Sequence, residues 1–201
     1  MKRFVFYAYL LLIPALLFGC NGAENPPEEQ LPPKPGVETP AEPSAPKDPV
    51  VPETPEPPET ASGGGVSIEL PDGWEAMEES LNPHAVLTLC HQESGRYLIA
   101  IAEEKTEPAL SLAEYLDLVC ADAGGNLKNV RRSAPREIAL CGIPAQLALL
   151  AGEVGGTAVE YHIAAAENKT GFFQFIGWCA ADPAGVRETL FSDLWPNIDL
   201  A

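Results

Sequence analysis

The stretch TAVEYHIAAAENKTGFFQFIGW, Thr157 to Trp178, decides the fold. In its first half Val159, Tyr161 and Ile163 alternate with Glu160 and His162, the period of a strand with one buried face and one at least partly wet. In its second half Phe172 to Trp178 is apolar on both faces and suits the centre of a sheet, where both sides are covered. Asn168-Lys169-Thr170-Gly171 separates the two with residues that tolerate positive φ, so the pair reads as a hairpin.

Working outward, Gly155-Gly156 makes another tight turn, preceded by strands at Ala145 to Ala151 and at about Val130 to Leu140, and the whole run reads as a meander. Downstream, Asp182-Pro183 places a cap and a first-turn proline where a helix prefers them. Val186, Leu190, Phe191 and Leu194 then line its buried side, and Trp195-Pro196 ends it. Further upstream, Ser111-Leu112-Ala113-Glu114 fits a capping box. Leu112, Tyr115, Leu116, Val119, Cys120 and Ala123 recur at helical spacing until Gly124-Gly125 stops the run. Ala85 to Cys90 and Tyr97 to Ala102, joined by Gln92-Glu93-Ser94-Gly95, read as a hairpin, and Val66 to Leu70 as a half-buried strand closed by Pro71-Asp72-Gly73. Strands, a crossover helix, a meander and a terminal helix predict an α+β domain over 66–201, a mostly antiparallel sheet with packed helices.

Five pieces of this domain resemble the PsbP-like superfamily: Ile68 to Trp74 (IELPDGW), the helix opening SLAEYL from Ser111, the turn Gly142-Ile143-Pro144-Ala145, the strand Gly171 to Trp178 and the closing helix. The resemblance implies an α/β/α sandwich. That family includes photosystem assembly and extrinsic subunits, a Ran-binding transport factor and many bacterial lipoproteins. It implies a binding and assembly module and supplies no catalytic residues.

The N-terminus reads differently. Lys2 and Arg3 precede an apolar run from Phe4 to Phe18, broken only by Pro14, which is the grammar of an export signal. The run is shorter than the about 20 apolar residues that span a bilayer. Leu17-Phe18-Gly19-Cys20 resembles the lipobox of bacterial lipoprotein signal peptides, with leucine three residues before the cysteine and a small residue directly before it. The resemblance implies a signal peptide over 1–19 cleaved between Gly19 and Cys20. Cys20 would then carry a thioether-linked diacylglycerol and, on its freed amine, further acyl chains such as palmitate. Two or more chains anchor stably. An ordinary signal peptide with an incidental cysteine is the alternative. The expected location is the cell membrane or the outer membrane, facing outside the cytoplasm; Asn21 favours the outer one where there are two.

Between Cys20 and Gly65 lies a segment with thirteen prolines from Pro26 to Pro58, and with nine acids against two lysines. Few apolar side chains interrupt them, so nothing here offsets the entropy of folding, and the segment reads as a disordered tether. Polyproline II geometry would let it reach up to ~140 Å. Ser62-Gly63-Gly64-Gly65 reads as a flexible joint before the domain.

The chain carries a formal charge of −17, with twenty acids against eight Lys or Arg in 66–201. Nucleic acid is therefore a poor partner, as are anionic headgroups. Cys90, Cys120, Cys141 and Cys179 are an even number in an exported domain and allow three disulfide pairings; four buried free thiols are the alternative. No metal-ligand spacing joins His84, His91 or His162, and no hydrolase or phosphate-loop motif occurs. No cofactor is indicated. His162 beside Glu160 reads as solvated rather than catalytic. The sequence thus favours a membrane-anchored, non-catalytic module for an unidentified envelope protein, with Trp74, Tyr97 and Trp178 as candidate contacts. A solute-binding or hydrolytic protein with a pocket in the domain is the alternative.

Overall fold

The computed structural model describes residues 58–105, 110–169, 171–182 and 187–201. The signal stretch, Gly19, Cys20 and the tether up to residue 57 lie outside them.

Ten-residue β10 (Gly171–Ala180) occupies the middle of the large sheet, antiparallel to β5 (Arg96–Glu104) on one side and to β9 (Thr157–Glu167) on the other. Beyond β5 come β4 (Leu87–His91) and the two-residue β3 (Glu75–Ala76). Beyond β9 comes β8 (Ile143–Val154), whose outer edge pairs with both β6 (Lys128–Arg132) and β7 (Arg136–Leu140). The order β3-β4-β5-β10-β9-β8-β6 makes one antiparallel sheet. A second sheet sets β2 (Val66–Glu69) between β1 (Thr60–Gly63) and β11 (Ile198–Leu200).

The helix α1 (Leu112–Gly124) carries the chain from β5 to the far edge at β6. Its capping box is complete: the Ser111 hydroxyl accepts from the Glu114 amide, and the Glu114 carboxylate accepts from the Ser111 amide at 2.9 Å. Tyr115, Leu116, Val119, Cys120 and Ala123 are buried against Ile101, Leu150, Ile163, Phe172 and Ile176 of the sheet. The other face of the sheet, with Leu98, Leu147, Ala164 and Phe175, is covered by Trp74, the small sheet and the C-terminal residues Phe191, Leu194, Trp195 and Ile198.

The layered α+β architecture agrees with the sequence, and three details do not. The joint at Ser62 to Gly65 is part of a hairpin, since β1 pairs with β2 and Gly64 and Gly65 turn between them at φ 57° and 82°. The strand expected over 130–140 is split into β6 and β7 by Ser133, Ala134 and Pro135. The second helix does not form over the described part of its range, 187–194, which folds as successive turns closed by Leu190 N–H to Arg187 C=O and Leu194 N–H to Phe191 C=O. A short 3₁₀ turn, Trp195–Asn197, follows. Phe191, Leu194, Trp195 and Ile198 are all buried in these tighter turns, and Pro196 denies them the amide a continuing helix needs. Residues 183–186 of the expected helix lie outside the described residues.

Candidate functional site

Pairing across the three central strands builds two rows on the face away from α1. Leu149, His162 and Gly177 form one; Ala151, Glu160 and Cys179 form the next. The C-terminal turns lie over both, so Glu160 and His162 are fully buried where alternation placed them on a wet face. The period was right, and a segment distant in sequence supplies the cover. Gly177 makes room for it, because a Cβ there would come within 2.6 Å of the Phe191 ring.

The Glu160 carboxylate is matched donor by donor. Arg187 Nε donates to Oε1 at 2.8 Å, its Nη2 lies 2.7 Å from the same oxygen, and its backbone N–H donates to Oε2 at 3.2 Å. Cys179 Sγ donates to Oε1 at 3.3 Å, while Arg187 Nη2 also reaches Cys179 Sγ and the Ala180 carbonyl, each at 3.1 Å. A buried charge is tolerated only with such a partner set.

Glutamate, histidine, cysteine and arginine together suggest nucleophilic chemistry, and the electrostatics here oppose it. Burial, then the hydrogen bond and charge of Glu160, push the Cys179 thiol up to about 12, so it stays protonated. Burial lowers His162 to about 4, outweighing the pull of Glu160 and helped by Arg136 and Arg187. His162 packs 5.0 Å from Phe191, and neither ring nitrogen has a hydrogen-bond partner among the described residues. By register His162 and Cys179 are diagonal rather than opposite neighbours, and the Cys179 thiol donates to Glu160 while neither nitrogen of His162 bonds it. The arrangement can clamp a segment; it does not activate a thiol.

A second clamp stands near the β4–β5 end. Trp74 Nε1 donates to Asp193 at 3.0 Å, Arg96 Nη1 donates to the Leu190 carbonyl at 2.6 Å and pairs with Asp193 at 3.2 Å, and the Arg96 guanidinium lies 4.9 Å from the centre of the Trp74 ring. Trp74 and Trp178 are buried, and Tyr97 stacks on Trp178 at 5.6 Å. The two tryptophans therefore serve the core and offer no surface to a partner.

The four domain cysteines are free thiols in this structure. Cys90 on β4 and Cys120, which feels Arg132 of β6, lie toward opposite edges with β5, β10, β9 and β8 between, each strand adding about 4.8 Å where a disulfide needs Cα atoms within about 7 Å. Cys179 is on the other face, and Cys141 sits exposed in the β7–β8 turn at the far end of β8 from the Cys179 row.

The surface feature that sequence reading passed over is the outer edge at β6. Four of the eight basic residues of 66–201 (Lys128, Arg131, Arg132 and Arg136) fall within nine positions. All five residues of β6 are exposed. The signal was visible as charge clustering, but the acidic total hides it.

No protein-family model and no curated protein matches the chain. Solved structures do. Cyanobacterial PsbP (CyanoP) from Synechocystis sp. PCC 6803 is 15% identical with a TM-score of 0.49, over 68% of this chain and 87% of that one. LpqN, involved in cell envelope biogenesis of Mycobacterium tuberculosis, is 16% identical with a TM-score of 0.48, over 72% and 86%. With both scores below one half, the fold rests on this chain's own strand order and register. Among the described residues no helix is long and apolar enough to cross a membrane.

Proposed function

We propose that the chain is a cell-envelope lipoprotein, held to its membrane through Cys20, whose domain is a non-catalytic binding and assembly module. The observation that carries the non-catalytic part is the closed Glu160–Cys179–His162 cluster. Its thiol is held protonated, its imidazole neutral, and both are covered by the C-terminal turns. With its chemical groups spent on clamping, the domain meets other molecules through its surface. The anchoring part rests on Lys2, Arg3, the apolar run and Leu17-Phe18-Gly19-Cys20. The acidic tether gives the module reach from the membrane.

Growth of the host with an alkyne-bearing fatty acid tests the anchor. The natural chain takes up label and sediments with membranes, and the Cys20→Ala chain does neither. An unlabelled natural chain released into the medium overturns it.

A further inference from the structure

The β6 edge is built so that its charges act together. Lys128 pairs with Glu153 and Arg131 with Ala151, so Asn129 and Val130 stand against the single residue Gly152. This is a bulge, with Asn129 at φ 53°. Gly152 allows it, since a Cβ there would meet the Lys128 carbonyl oxygen at 2.9 Å and Leu127 Cβ at 3.0 Å. In a regular strand, positions 128 and 131 would face opposite ways. The extra residue brings them to one face. Arg136 joins them, because its partner Leu147 has the same parity on β8 as Ala151 and Glu153. From Glu153 to Leu147 the row runs about 20 Å at the rise of a strand.

These charges are little used inside the fold. Lys128 and Arg131 form no ion pair among the described residues, and Arg136 gives one hydrogen bond, at 3.3 Å, to the Glu188 carbonyl. Arg132 alone turns to the other face, where it pairs with Asp117 of α1 at 2.6 Å. Val130, one of two exposed large hydrophobic residues among the described residues, also lies on β6. Beyond β6 no strand is paired among the described residues, so a row of backbone donors and acceptors faces outward.

Deepening the reading of the domain as a binding module, on which it rests, we propose that the β6 edge docks an extended acidic segment of a partner protein, added as a further antiparallel or parallel strand. Main-chain hydrogen bonds to β6 would hold it, and Lys128, Arg131 and Arg136 select carboxylates. Basic side chains along an edge discourage pairing with neutral or basic strands, and a second copy of β6 would set basic residues against basic ones. An acidic strand is the partner that these same side chains admit.

The test titrates the full chain in non-ionic detergent with short labelled peptides: one alternating Glu with Val, one alternating Glu with Pro, at equal charge. The Glu–Val peptide binds at least about tenfold more tightly than the Glu–Pro peptide, which lacks the amides to pair, and it slows hydrogen exchange within 129–132. The double substitution Lys128→Gln and Arg131→Gln lowers its affinity by at least about tenfold while leaving the thermal melt in place, because both residues are exposed and neither forms an ion pair among the described residues. Equal binding of the two peptides, unchanged affinity of the substituted chain, or tighter binding to phosphatidylglycerol vesicles than to the Glu–Val peptide overturns the proposal. If the substituted chain still crosslinks to its envelope partner in cells, this edge is eliminated and the module reading stands; if the natural chain crosslinks to nothing, the module reading itself falls.

Discussion

Arg187 meets Glu160 through hydrogen bonds from its Nε and its own backbone N–H and through an Nη2 ion-pair contact of 2.7 Å, although the two residues are 27 apart in sequence and Glu160 has no exposed surface. The pair fastens the C-terminal turns to β9 and β10. Replacing Arg187 with Ala strands a carboxylate under those turns. Losing one partner of a buried pair costs 3–5 kcal/mol in general, and the 41% exposure of the Arg187 side chain lets water offset part of that, giving about 2 kcal/mol here. Denaturant unfolding of the full chain measures it. Arg187→Lys recovers only a fraction, since an ammonium cannot reproduce the fork.

The pH dependence of stability follows from His162. Its folded value is lowered from 6.5 to about 4, so between those values the unfolded chain binds the proton and the folded one does not. The stabilisation is complete above pH 6.5 and is lost as pH falls toward 4, by about 3 kcal/mol across the window. His162→Leu removes this slope. Unfolding curves of the natural and substituted chains, taken at several pH values, should diverge within this window and run parallel above it; parallel curves throughout would contradict the assignment.

Gly177 and Phe191 form a matched pair. A Cβ at position 177 collides with the Phe191 ring at 2.6 Å, so Gly177→Ala destabilises by about 1–3 kcal/mol. In a Phe191→Ala background, itself about 3–5 kcal/mol less stable, the same change costs little. A double-mutant cycle reads the difference as coupling.

What local pattern governs was legible in the sequence. Ser111 and Glu114 announced α1, the paired glycines at 155 and 156 announced the β8–β9 turn, and Phe172 to Trp178 announced the central strand, because each signal acts within a few residues. The burial of Glu160 and His162 was not legible. It depends on a segment more than twenty residues away settling over them, and that segment gave a helical pattern yet folds as tighter turns. The common face of Lys128 and Arg131 was hidden for a related reason: the bulge that aligns them is set by Gly152 on the neighbouring strand, and Arg136 joins them only through the register of β7 on β8.

Thiol reactivity separates the cysteines. Cys141 is exposed, whereas Cys90, Cys120 and Cys179 are buried, with burial raising Cys120 to about 11 and Cys179 to about 12. Brief treatment of the native chain with N-ethylmaleimide, followed by peptide mapping, labels Cys141 and spares the other three, which react after unfolding. Fast native labelling of Cys179 would show that the clamp opens.

The most direct measurement is in-cell crosslinking in the native host with mass-spectrometric identification, comparing the natural chain with Cys20→Ala. An anchored binding module captures one defined envelope protein reproducibly through its domain, and the Cys20→Ala chain loses it. Reproducible capture of nothing by either chain, or the same capture by both, would contradict an anchored binding module.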